Sequence, residues 1–189
     1  GVRAVVEAGV AEVVLTGINI GHYASDGLDL AGLIAAVAST GVRRIRVSSI
    51  EPDHVDARLL DVAASTPAFC RHLHIPLQSG SDGVLRRMGR PYTTARYGEV
   101  LEDVRSALPG VSIGADVIAG FPGETDAEWA ETLAFVESSA LSRLHVFRYS
   151  VRQGTRAATM PGHVPAKVRG ARAAELRELG SRLAMQDAL

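Results

Sequence analysis

Thiol chemistry is nearly absent from this chain, because Cys70 is the single cysteine among 189 residues. One cysteine excludes an intrachain disulfide, and it excludes an iron–sulfur cluster held by this chain's cysteines alone. Beside Phe69 and just ahead of a strand, Cys70 reads as a small buried hydrophobe. Lysine is equally scarce: Lys167 is the sole one, and every other cation is arginine. That scarcity leaves little room for a Schiff-base enzyme, since Lys167 lies past the last strand on a polar helix. No charge of one sign dominates, with 20 basic residues against 21 acidic, so there is no global pull toward nucleic acid or an anionic membrane. No apolar run approaches the length of a membrane span and no signal peptide is evident, so the expectation is a cytoplasmic protein without a membrane partner.

What is present is a regular α/β alternation. Runs rich in β-branched residues at 12–16, 44–48, 72–77, 112–118 and 144–149 predict strands. Helical periodicity occupies 28–38, 55–64, 93–108 and 126–138, with an extra turn at 83–88 and a last amphipathic segment over 167–185. In that last segment Ala174, Leu176, Leu179 and Leu183 form the apolar face. Asp29 caps the first of these helices, Asp53 or Asp56 the second, and Thr125 with Glu128 forms a capping box. Strands about 30 residues apart are spaced as βα units, which implies a parallel sheet, doubly wound or curled into a barrel.

Each strand ends in residues that a core does not need. These are Thr16-Gly17-Ile18-Asn19, Ser48-Ser49-Ile50-Glu51-Pro52, Gln78-Ser79-Gly80-Ser81, Gly120-Phe121-Pro122-Gly123-Glu124 and Tyr149-Ser150 followed by Arg152. In a parallel barrel the carboxyl ends of the strands open on one mouth, so five polar clusters there imply a ligand site. Taken singly, Gly120 to Gly123 is a tight turn, Gly80-Ser81 a helix start and Glu51 a loop acid. His72 and His74 alternate along one strand and share a side, but no third ligand has the spacing of a metal site. Asp116, inside an apolar strand, requires a partner. Nucleophile elbow, Walker loop, zincin helix and dinucleotide fingerprint are all missing.

The segments Leu15-Thr16-Gly17-Ile18-Asn19-Ile20-Gly21, Arg46-Val47-Ser48-Ser49-Ile50-Glu51-Pro52, His72 through Asp82, Val84 through Met88, Asp116 through Thr125 and Leu144-His145-Val146-Phe147 carry a resemblance. In order and over nearly the whole chain, they resemble the radical S-adenosylmethionine (SAM) methylthiotransferases. The first and last of these segments are most similar to the MtaB-type branch, which modifies threonylcarbamoyladenosine beside the tRNA anticodon. The MiaB-type branch, acting on isopentenyladenosine, and the RimO-type branch, acting on a ribosomal protein, are its relatives.

The resemblance implies a partial parallel (βα)6 TIM-like barrel with strands two to six present. It places a radical SAM core at 1–164 and, at 165–189, a helix leading toward a TRAM-type domain. It implies two 4Fe–4S clusters in a full-length parent, one of them on a Cys-x3-Cys-x2-Cys loop that precedes these strands. Reductive cleavage of SAM there starts radical chemistry, and a flavodoxin or ferredoxin supplies the electron. The chain is then expected to be a fragment without its cluster cysteines, inactive by itself and poorly behaved at its open strand edge. Thr16, Gly17, Ser49, Glu51, Gln78, Ser79, Ile118, Gly120, Phe121 and Phe147 would contact the cofactor. Tyr149, Arg86, Arg90, Arg148 and Arg152, with Arg87, would face the tRNA anticodon stem-loop; no residue of this chain is assigned as catalytic. Arg148 departs from the family's usual proline. A cluster-free SAM- or RNA-binding remnant and an aldolase-like barrel are the alternatives.

Overall fold

The computed structural model describes residues 1–187; the expected terminal helical region, 165–189, therefore has its last two positions outside the described residues. Residues 1–75 with 99–112 form one compact unit, and 76–98 with 113 onward form another.

In the first unit, α1 (Val2–Glu7) leads to β1 (Glu12–Leu15), which pairs in parallel with β2 (Arg44–Val47) from Glu12↔Arg44 to Leu15↔Val47. Phe69 extends the pairing through a parallel bridge to Ile45, and the Ile50 amide donates to the His74 carbonyl at 2.9 Å. The connecting helices are α2 (Leu30–Ala38) and α3 (Ala57–Ser65). Asp29 accepts the Gly32 amide and Asp56 the Leu59 amide, each at 2.7 Å, so both helices begin at short acidic side chains that satisfy an otherwise unpaired donor. Asp56, rather than Asp53, caps the second. Ile34, Ile45, Ile50, Leu73 and Ile75 form the dry centre. Cys70 is buried among them in the same unit, as its apolar setting predicts.

The third strand, β3 (His72–His74), is shorter than the expected 72–77. Pro76 has no amide to give a ladder, and Gln78 adopts φ +68°, which turns the chain out of the extended region. The helices α4 (Asp82–Met88) and α5 (Thr94–Ala107) follow. The left-handed Gly89, φ 77°, ends α4, and Asp82 accepts the Thr94 amide at 2.7 Å, so this acid ties the start of one helix to the start of the next.

In the second unit, Gln78 bridges Val117 of β4 (Ser112–Ala119), and β4 pairs in parallel with β5 (Arg143–Arg148) from Gly114↔Arg143 to Ala119↔Arg148. Alternation sends Ala115, Val117 and Ala119 to a buried side, and Asp116 and Ile118 to the opposite, half-buried one. Between these strands runs α6 (Asp126–Ser138), whose capping box of Thr125 and Glu128 is complete. The last helix, α7 (Ala166–Asp187), packs on β5 and α6. Its buried stripe is Ala173, Leu176, Leu179 and Leu183. Ala174, expected on that stripe, is exposed, and Arg172 occupies the buried side instead. No helix among the described residues is long and apolar enough to cross a membrane.

Candidate nucleoside-binding site

In the second unit the carboxyl ends of β4 and β5 frame a cavity of about 400 Å³. A space of that size falls in the range of small-molecule sites. Its wall combines the rings of Phe121, Phe147 and Tyr149 with Gln78, Asp116, Ile118, Arg148 and Arg152. Phe121 and Tyr149 meet edge to face with centroids 5.4 Å apart, while Phe147 is half exposed. Three rings around one opening suit a flat heteroaromatic ligand. The Tyr149 hydroxyl is buried and has no hydrogen-bond partner among the described residues. A buried polar atom of that kind costs free energy unless a ligand or water meets it.

Gln78 supplies a second anomaly. It is a non-glycine residue at φ +68°, fixed there because its amide donates to the Asp116 carbonyl (2.7 Å) and its carbonyl accepts the Ile118 amide (2.9 Å). Strain held in this way aims a side chain that the extended form would point elsewhere. Asp116, which lines the cavity, faces His145 Nδ1 at 3.5 Å, across the β4–β5 register. This is the partner that a carboxylate inside an apolar strand requires. His145 was visible in the sequence, but nothing there distinguished it as a site residue; parallel pairing with Asp116 supplies the distinction.

The other expected residues fall in several places. Gly120, φ +77°, sits behind the wall with its amide donating to Glu124 Oε2 at 2.8 Å. Ser79 is fully buried, with its hydroxyl 3.2 Å from that of Thr132 on α6. Arg86 and Arg90 belong to α4 and the turn after it, outside the residues that line the cavity. Arg87 donates to Glu128 Oε2 at 2.7 Å. That guanidinium, more than the cap hydrogen bonds, holds the Glu128 carboxyl below the usual carboxylate range. In the first unit, Thr16 and Gly17 line a smaller cavity of about 210 Å³ with Asn19, Ile20, His22 and Tyr23. Ser49 is exposed and Glu51 half-buried in the turn after β2.

The family model described as the radical SAM superfamily matches residues 1–136. The chain belongs to that superfamily. Its fold agrees: coproporphyrinogen III oxidase (HemN) from Escherichia coli, a radical SAM enzyme, superposes with a TM-score of 0.71 at 16% identity, covering 96% of this chain and 44% of that one. Among curated relatives, threonylcarbamoyladenosine tRNA methylthiotransferase MtaB of Bacillus subtilis is 43% identical over 185 residues, 96% of this chain and 41% of the relative. The tRNA-2-methylthio-N(6)-dimethylallyladenosine synthase of Moorella thermoacetica is 38% identical over 188 residues, 97% of this chain and 42% of the relative. This radical SAM chain thus spans about two fifths of the length of the curated relatives it matches.

Membership implies SAM and a 4Fe–4S cluster. The aromatic wall and the unpartnered Tyr149 hydroxyl fit the nucleoside part of SAM. The donor set does not fit a cluster, because Cys70 is the one thiol and it is buried.

Proposed function

We propose that this chain is the SAM-binding core of a tRNA methylthiotransferase that modifies C2 of threonylcarbamoyladenosine next to the anticodon. The observation that carries the reading is 43% identity to the Bacillus subtilis MtaB protein across 96% of the chain, and the ring-lined cavity of the second unit supports it. Ile118, Phe121 and Phe147 hold the adenine of SAM, and Gly120 sets the loop that carries Phe121. Gln78 borders the ribose of SAM. Tyr149 closes the adenine side against Phe121 and also borders the target base, where an aromatic face can stack, and Arg148 and Arg152 face the RNA, where guanidinium groups meet phosphate. Arg86 and Arg90 add charge for the anticodon stem-loop. SAM, when bound, would supply the methyl group and, from a second molecule, the radical that removes the C2 hydrogen, while the sulfur would come from an auxiliary cluster of the full-length protein. The cluster cysteines belong to other parts of a full-length protein, as does the docking of a flavodoxin- or ferredoxin-type electron donor. In that protein 1–164 is the radical SAM core, 165–189 leads onward, and the whole acts in the cytoplasm.

Dimethylallyladenosine is a second substrate reading, supported by the 38% identity to the Moorella enzyme. Deleting the gene and analysing tRNA nucleosides by mass spectrometry separates the two. Loss of the methylthio form of threonylcarbamoyladenosine alone supports the first reading, loss of the dimethylallyl form supports the second, and an unchanged nucleoside profile refutes both.

A further inference from the structure

One group of bonds in the second unit lies outside the cavity and reaches the segments that carry Phe121 and Tyr149. Arg172 on α7 is 6% exposed. Its Nη1 donates to Glu124 Oε2 at 2.7 Å and to the Glu124 carbonyl at 3.2 Å, and its Nη2 donates to Asp126 at 2.6 Å. The Glu124 side chain is wholly buried, and the oxygen that meets Arg172 also accepts the Gly120 amide. Burial raises the Glu124 carboxyl above the usual range, against the opposing pull of the Gly120 amide and Arg172. One turn earlier on α7, Arg169 Nη1 donates to the Tyr149 carbonyl at 3.0 Å. The Arg169 stem lies so close to Gly120 that a Cβ built there would fall 2.2 Å from its Cγ.

Two arginines at i and i+3 on one helix therefore hold two loops: one carries Phe121, the other Tyr149. The 120–124 loop contains two left-handed glycines, Gly120 and Gly123, both at φ +77°, and it is also tied by the Gly123 amide to the Gly162 carbonyl at 2.8 Å and by Arg87 to the Gly123 carbonyl at 3.2 Å. A buried ion pair is a poor source of net stability, because desolvation offsets most of its attraction. What this pair does supply is direction, since a planar guanidinium fork serves two acceptors that an ammonium cannot serve in the same geometry.

We propose that Arg169 and Arg172 are positioning residues, which set the Phe121 and Tyr149 rings at the spacing that grips a nucleoside. The proposal rests on the reading of the cavity as the SAM pocket. It is tested in the full-length protein with Arg169→Ala, Arg172→Ala and the charge-conserving Arg172→Lys; Arg182→Ala, in an exposed pair with Glu137 at 3.7 Å, is the control. Two quantities are measured: hydrogen exchange of segments 119–124 and 148–153 without ligand, and affinity for S-adenosylhomocysteine by calorimetry. The expected result is faster exchange in the segment each arginine holds, unchanged exchange in 12–15, and about tenfold weaker binding, with Arg172→Lys weakened although it still folds. Parental affinity in variants whose loops have loosened overturns the proposal, as does unchanged exchange in every variant. A parent protein that does not bind S-adenosylhomocysteine overturns the pocket reading first, and this proposal with it.

Discussion

Glu128 shows how one side chain can serve several neighbours. It accepts the Thr125 amide, completes the capping box of α6 and pairs with Arg87. Its folded carboxyl is held below the ordinary value, so its stabilising contribution is complete above the unfolded pKa and disappears as pH falls through the folded one. Glu128→Gln should therefore lower the melting temperature at neutral pH, and the gap to the parent should close at pH well below about 4. Thr125→Ala removes the other half of the box and should cost about 1 kcal/mol in denaturant unfolding. Such caps are readable in a sequence because they involve residues three apart. Gln78 is not, because its positive φ is imposed by bonds to Asp116 and Ile118, some 40 positions along the chain.

At the scale of elements, the alternation of strands and helices was legible throughout, and the faces of the helices less so. A period-3.6 pattern locates α7, but Ala173 and Ala174 are adjacent small residues, and packing against β5 decides which of them is buried. Arg172 illustrates the same limit, since an arginine beside other charges reads as solvated until a buried glutamate is found facing it. The packing of α7 is itself testable. Leu176 is fully buried, and Leu176→Ala should destabilise the protein by about 2–5 kcal/mol in chemical denaturation. Gly80 permits the close approach of α6, where a Cβ would fall 2.8 Å from the Thr132 Cα. Gly80→Ala should cost about 1–3 kcal/mol by forcing backbone apart. A melting temperature equal to the parent's would contradict this account of the packing.

For the whole molecule, the ordered motifs pointed to the family, and of the five strand-end clusters those at Gln78 and after β4 and β5 contribute to the second unit's cavity. The cavity's content came from the fold: three rings, an unpartnered Tyr149 hydroxyl and a strained Gln78 are brought together by β4, β5 and the turn at 78. The separation of Asp116 and His145 by 29 positions hid their pairing, which parallel register alone reveals. The most direct test of the central claim is made on the full-length protein, reconstituted with iron and sulfide under anaerobic conditions. It is incubated with SAM, a reductant and tRNA bearing threonylcarbamoyladenosine, and the nucleosides are analysed by mass spectrometry. The account predicts the 2-methylthio derivative together with 5′-deoxyadenosine. Bound SAM that is never cleaved, with the tRNA nucleoside unchanged, would contradict it.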